Sequence, residues 1–199
     1  MQLDSALRSL AEIQNLVSRT EFASGFRART SLAIGSVALA CAIYQTLYLP
    51  SSWIAFVAVW LVVALFAAGV TMIEVGWRYR FASSNERSVT RATIMEFLPA
   101  TLACGLVTLV LVLRQLDSVI PMLPGFWAIF FSLAVFSTRR RLGKLGGLIG
   151  CYYLVAGSIW VLCLSSEALG TASMFMGGVF GVGHLLAAYS QLLHITARS

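Results

Sequence analysis

The chain has 199 residues, of which 59% are hydrophobic and 11% are charged, and its mean hydropathy is +0.85. Soluble domains carry about a quarter charged residues, so this composition excludes a water-soluble fold. The formal net charge is +6, which we assign to loops on the cytoplasmic side and to contact with membrane lipids. A nucleic-acid partner is not expected, because basic residues of membrane proteins commonly have those two roles.

The first 30 residues predict a cytoplasmic amphipathic helix. Apolar side chains recur there at intervals of three or four residues, at Leu3, Leu7, Leu10, Ile13, Leu16 and Val17. This spacing places them on one helical face, and the rest of the segment is too polar to cross a bilayer. We expect the helix to lie along the membrane interface. The first long apolar run begins only near Ser31, and no cleavage motif follows it, so a removable signal peptide is not expected.

Six apolar runs follow, and each is long enough to cross a bilayer, which takes about 20 residues. They cover residues 31–49, 53–73, 92–113, 120–138, 145–164 and 173–195. Because hydrocarbon offers no partner for backbone amides, each run is predicted to be helical. We therefore expect an all-α polytopic membrane protein whose residues 31–199 form six transmembrane helices.

The basic residues predict the orientation of these helices. Every one of the 14 Lys and Arg residues except Arg114 lies before the first run, between the second and third, between the fourth and fifth, or after the sixth. The positive-inside rule then places both termini of this multi-pass membrane protein in the cytoplasm. The three connections on the other side are short, which disfavours a receptor for a large extracellular ligand.

His184 is the first candidate for a functional residue. It lies in the last apolar run, in Gly-Val-Gly-His, where an ionisable side chain is costly and usually faces the protein interior. It could bind haem or a metal, or relay protons; the alternative is a neutral histidine hydrogen-bonded to another helix. His194 is ten residues further along the same helix, a rise of about 15 Å, so the two cannot bind one iron. We expect no cofactor and no metal, and His184 is the residue through which any haem would bind.

Glu96 is the second candidate, since it lies five residues beyond Arg91 and one turn before Pro99 in the third run. With His184 it forms our candidate intramembrane polar site. A carboxyl group at this depth can be protonated, or it can pair with a loop arginine. The alternative is a structural role, as a snorkelling or helix-capping acid.

Basic and small residues provide two further candidate surfaces. Arg139, Arg140, Arg141 and Lys144 form a juxtamembrane cluster expected to contact anionic lipid or a protein partner, at about 1 kcal/mol per charge. Gly177 and Gly181, and the glycines between residues 143 and 150, have a small-xxx-small spacing that lets helices approach closely. Whether that packing occurs within one chain or in a homodimer stays open.

Three segments resemble a group of uncharacterised bacterial inner-membrane proteins. They are Glu96-Phe97-Leu98-Pro99, Leu123-Pro124-Gly125-Phe126-Trp127 and Gly181-Val182-Gly183-His184-Leu185. Proteins of that group have a helical N-terminal segment, six spans, a similar Leu-Pro-Gly-Leu-Trp element and a histidine in the last helix, and are often encoded beside winged-helix regulators. The resemblance implies a membrane component of a sensing or regulatory system and supplies no activity.

The sequence therefore favours a non-enzymatic accessory or regulatory protein of the inner membrane, which contacts a partner in the membrane or on the cytoplasmic face. Motifs for nucleotide binding, zinc proteolysis and serine hydrolysis are absent from it. Two alternatives stay open. One is a small-solute or ion transporter or channel that uses Glu96 and His184, and the other is a haem- or quinone-binding electron-transfer subunit.

Overall fold

The computed structural model describes residues 28–48, 52–163 and 169–196, without the side chains of residues 140–145, 190, 191 and 193–196. Its α-helices are α1 (Ala28–Leu47), α2 (Trp53–Phe81), α3 (Ser84–Leu113), α4 (Leu123–Ser137), α5 (Arg139–Cys163), α6 (Leu169–Met176) and α7 (Val182–Thr196). A 3-10 turn, Ile120–Met122, precedes α4, and a π turn, Gly177–Gly181, joins α6 to α7. These ranges contain no strand, which confirms the all-α fold class.

Six helical segments of the described chain are long and apolar enough to cross a membrane. They are α1, α2, α3, Ile120–Ser137, Gly146–Cys163 and Leu169–Tyr189. The six-span membrane protein is therefore confirmed, and we call the continuous unit of α6, the π turn and α7 the sixth crossing. Of the amphipathic helix predicted for residues 1–30, residues 1–27 lie outside the described residues. Residues 28–30 are the first three residues of α1.

Helices α2 and α3 extend beyond the apolar runs that predicted them. They contain 29 and 30 residues, so each is about 45 Å long, whereas the hydrocarbon core is about 30 Å thick. No Gly or Pro between residues 77 and 91 interrupts the helices, and only Ala82 and Ser83 leave the helical conformation. The Ser83 hydroxyl accepts a hydrogen bond from the backbone N–H of Glu86. In return, the Glu86 carboxylate accepts one from the backbone N–H of Ser83. This capping box starts α3 and makes the connection a tight hairpin.

We call the end of the bundle that carries this hairpin the basic end, because α1 begins there and α4 meets α5 there, at Arg139. The other end is the opposite end. Hydrogen bonds to α1 and α4 help to hold α2 and α3 to the bundle near the basic end. The hydroxyl of Thr30 in α1 donates to the carboxylate of Glu74 in α2, and the hydroxyl of Ser137 in α4 donates to the backbone carbonyl of Glu96 in α3, at 2.8 Å.

The closest helix pairs are α4 with α5 and α1 with the sixth crossing. In the first pair a Cβ atom added at Gly157 would lie 2.6 Å from the carbonyl oxygen of Gly125. In the second, Gly35, Gly177 and Gly181 leave no room for a side chain between the helices. Small residues let helix backbones approach closely in lipid. The close packing of Gly177 and Gly181 therefore lies within the chain.

The buried core lies toward the opposite end of the bundle. The fully buried members of this core include Phe56, Ile120 and Leu123. Three tryptophans of this core donate their indole N–H groups to polar partners. Trp60 donates to the side-chain oxygen of Gln45 at 2.7 Å, Trp127 to the Thr108 hydroxyl at 2.8 Å, and Trp160 to the Pro121 carbonyl at 3.0 Å. A buried indole needs such a partner, so these bonds help to fix the helices at this end.

Helices α2 and α3 join the core only there. Their buried residues are Phe56, Val57, Trp60, Thr108 and Leu111. All of these positions lie in the halves of the two helices that are far from the hairpin. From about the middle of the membrane to the basic end, α2 and α3 therefore present mostly exposed side chains.

Candidate functional site

His184 lies in the first turn of α7, directly after the π turn, and its side chain is half-buried. Its Nδ1 atom is 2.8 Å from the carbonyl oxygen of Phe180, one turn earlier in the sixth crossing. Because a carbonyl oxygen only accepts hydrogen bonds, Nδ1 carries a proton, and Nε2 of the neutral ring is the unprotonated nitrogen. His184 can therefore accept a proton, a hydrogen bond or a metal ion through Nε2.

Aromatic rings from several helices meet beside this imidazole. The Phe131 ring of α4 has its centroid 5.6 Å from that of His184, 4.7 Å from Tyr153 and 5.7 Å from Phe180. Phe97 of α3 contacts the same ring edge-on at 5.7 Å. We call these five residues the Phe131 cluster. It connects α3, α4, α5 and the sixth crossing, so the surroundings of His184 are largely apolar.

Tyr153 is the polar neighbour of His184 in this cluster. It is 1% exposed, and its hydroxyl oxygen is 3.4 Å from Nδ1 of His184. Since Nδ1 already carries a proton, the tyrosine oxygen can only be the acceptor in this contact. A Cβ atom added at Gly183 would overlap the same oxygen. Glycine at position 183 therefore makes room for the tyrosine beside the histidine.

Tyr152, the residue before Tyr153, connects α5 to the π turn through a hydrogen bond. Its hydroxyl donates to the carbonyl of Gly178 at 2.5 Å. Turns of π-helix are rare and occur frequently at functional sites. Neither tyrosine was predicted to be a site residue, although two adjacent tyrosines inside an apolar run were a signal that could have indicated them.

Glu96 and His184 have different surroundings. The side chain of Glu96 is exposed on α3, and its backbone carbonyl receives the bond from Ser137. The neighbouring residue, Phe97, is the one that packs into the Phe131 cluster. The structure thus brings the two candidate residues to the same part of the bundle, with aromatic rings of the Phe131 cluster between their helices.

The juxtamembrane cluster lies at the start of α5. Arg139 is the first residue of that helix and is exposed, and Arg140, Arg141 and Lys144 follow within its first two turns. The side chains of these three lie outside the described residues. A helix N-terminus already carries a partial positive charge, to which the sequence of this first part of α5 adds four cationic residues.

The described residues contain no group of three or more His, Cys, Asp or Glu side chains that could hold a metal ion. The His184 site offers one imidazole nitrogen, one phenol and a wall of aromatic rings. This set can bind or relay a single proton, or accept one hydrogen bond from a small ligand.

Comparison with known proteins finds no matching family model, no similar curated protein and no similar solved structure.

Proposed function

We propose that this multi-pass membrane protein is a non-enzymatic accessory or regulatory component that binds a partner protein at its basic end. We place that end in the cytoplasm, below the inner membrane of a bacterium. The observation that carries the proposal is the difference between the two ends of the bundle. One is closed by a packed core, and the other presents charged helix ends.

The described part of the opposite end offers little surface for recognition. The connection from α3 to α4 is only residues 114–119, and the 3-10 turn that follows begins at the fully buried Ile120. The buried indoles of Trp60, Trp127 and Trp160 lie in the core of this half. A compact end of this kind fits a protein that does not bind a large ligand outside the cell.

The basic end has the features of an interaction surface. Arg29, Arg80, Arg87, Arg91 and Arg139 are all exposed there, and the α2–α3 hairpin extends past the hydrocarbon core. Arg114 is the only Lys or Arg of the described residues at the opposite end. The positive-inside rule therefore supports a cytoplasmic basic end.

Photocrosslinking in native membranes tests the proposal. A photoreactive amino acid is placed at Asn85, exposed at the tip of the hairpin, or at Asp117, exposed at the opposite end. A third set of positions lies within residues 2–26. We expect one and the same protein to crosslink at position 85 and within residues 2–26, and not at position 117. Absence of a shared partner under several growth conditions would contradict the proposal.

Orientation can be tested separately in a variant whose four native cysteines are replaced. Asp117→Cys should react with a membrane-impermeant maleimide in intact cells, and Asn85→Cys only after permeabilisation. The reverse pattern would place the basic end outside the cytoplasm and remove the basis for a cytoplasmic partner.

A transporter or channel is the second candidate function, and the geometry of His184 favours it. The bond from Nδ1 to Phe180 leaves Nε2 as a proton acceptor inside an apolar span, next to a π turn. Proton-coupled flux into proteoliposomes should then fall with His184→Ala, and Glu96→Gln should lower it only if the exposed carboxylate joins the same path. Unchanged flux in both variants would exclude this function. An absorption spectrum of the purified protein without a Soret band would exclude a haem subunit.

A further inference from the structure

A cavity of about 470 Å³ lies at the hairpin of α2 and α3, lined by Tyr79, Ala82, Ser84, Arg87, Ser88 and Arg91. The four lining residues of α3 are spaced at i, i+3, i+4 and i+7, so they form one helical face. The other two come from the end of α2 and from the turn. The described lining therefore combines two guanidinium groups, three hydroxyl groups and no carboxylate.

Arg87 is held in a fixed position in this cavity. Its Nε donates to the carbonyl of Ala82 at 3.0 Å and its Nη2 to that of Arg80 at 3.3 Å. The guanidinium carbon lies 5.4 Å from the centre of the Tyr79 ring. An arginine has five N–H donors in a planar fork, so these two bonds leave three of them for a ligand. The side chain is ordered before any ligand arrives.

Arg91 adds a second positive charge one helical turn away. Within the described part of the chain its side chain forms no hydrogen bond or ion pair, and neither arginine has a carboxylate partner. Glu86, the acid next to Arg87 in sequence, is engaged with the backbone N–H of Ser83. Like charges one turn apart repel each other. An anion bound between Arg87 and Arg91 would remove this repulsion.

The length of α3 sets the depth of the cavity. If Leu113 marks the far edge of the hydrocarbon core, a rise of 1.5 Å per residue places Arg91 about 3 Å and Arg87 about 9 Å beyond the near edge. The polar headgroup layer occupies roughly the first 5 to 8 Å outside the hydrocarbon, so Arg91 lies within this layer and Arg87 at about its outer edge. Trp77, two residues before Tyr79 on α2, is 66% exposed, as expected for an aromatic side chain that anchors a helix at the interface.

We propose that this cavity binds the phosphate group of an anionic phospholipid from the leaflet at the basic end. The guanidinium groups of Arg87 and Arg91 bind the phosphate oxygens, and the hydroxyls of Ser84 and Ser88 donate further hydrogen bonds. Arginine suits this role because its planar fork matches two phosphate oxygens. The site is distinct from the cluster at the start of α5, and it assigns the protein a specific lipid ligand.

Native mass spectrometry of the detergent-purified protein tests this assignment. The probes are dioleoyl phosphatidylglycerol, dioleoyl phosphatidylcholine and inorganic phosphate. The variants are Arg91→Gln, Arg91→Lys and, as a matched control, Arg80→Gln, which removes the same charge from the hairpin at a residue that does not line the cavity. We expect phosphatidylglycerol to bind more tightly than phosphatidylcholine. Arg91→Gln should raise its Kd roughly fivefold, Arg91→Lys should raise it less, and Arg80→Gln should change it less than twofold.

Three results would overturn the proposal. Equal weakening by Arg91→Gln and Arg80→Gln would show that binding follows diffuse surface charge. Equal affinity of the wild-type protein for both lipids would show that the cavity does not select an anion. Displacement of phosphatidylglycerol by an equal concentration of inorganic phosphate would assign the cavity to a free anion. Thermal melting of each variant in the same detergent distinguishes lost binding from lost folding. Arg91 is exposed and its side chain is unpaired among the described residues, so Arg91→Gln should leave the melting temperature unchanged.

Discussion

Gly177→Ala should loosen the packing of α1 against the sixth crossing. A Cβ atom at this position would lie 2.5 Å from the Cβ of Ala42 in α1, whereas carbon atoms in contact are about 3.5 to 4.0 Å apart. The two helices must therefore separate by roughly 1 Å. Overpacking of this size costs about 1 to 3 kcal/mol of the free energy of unfolding. Up to about 1 kcal/mol of that cost is offset because alanine favours helix over glycine.

The measurement is thermal or denaturant unfolding of the purified protein in one detergent, and the chain offers a matched control. Gly178 lies in the same π turn, but a Cβ atom there would have nothing within 4 Å. Gly178→Ala should thus leave stability unchanged or raise it. The double variant with Ala42→Gly should recover most of the stability lost in Gly177→Ala, since it removes the opposing carbon atom. If Gly177→Ala and Gly178→Ala melt alike, or the double variant shows additive losses, the close approach of α1 is refuted.

Two other substitutions test hydrogen bonds that hold the helices. Trp60→Phe removes the indole N–H that donates to the side-chain oxygen of Gln45, a residue that is 2% exposed. This change should lower the free energy of unfolding by about 1 to 3 kcal/mol because the buried oxygen loses its closest partner. An unchanged free energy of unfolding would show that this bond contributes nothing. Ser83→Ala removes the capping hydroxyl of α3 and should cost about 1 kcal/mol, seen as faster amide exchange in residues 84–87. If amide exchange of residues 84–87 in Ser83→Ala is as slow as in the wild-type protein, the capping box does not hold the hairpin.

The number of membrane crossings followed from the sequence, but the lengths of their helices did not. Hydropathy marks only the part of a helix that lies in hydrocarbon, so α2 and α3 were predicted to stop at the membrane surface. In the structure they continue for eight residues beyond residue 73 and begin eight residues before residue 92. The capping box at Ser83 and the absence of Gly and Pro in this connection were signals of that extension.

The candidate site was predictable in part. His184 was recognisable because an ionisable residue inside an apolar run is costly and needs a reason. Its neighbour Tyr153 lies 31 residues away along the chain, and no local pattern connects the two positions. Gly183 shows the same limit: its need for glycine comes from a tyrosine on another helix.

The sequence by itself determined that this protein crosses the membrane as six helices with its basic residues almost entirely at one end. These properties depend on the transfer of apolar residues and charges between water and lipid, which acts on each segment separately. Only the tertiary structure decided which helices touch, where the rings around Phe131 meet and how Arg87 and Arg91 come to line a cavity. Lipid is as apolar as the helix surfaces, so burial cannot select helix partners in a membrane. Close packing at glycines such as Gly157 and Gly177, together with hydrogen bonds between helices, makes that selection.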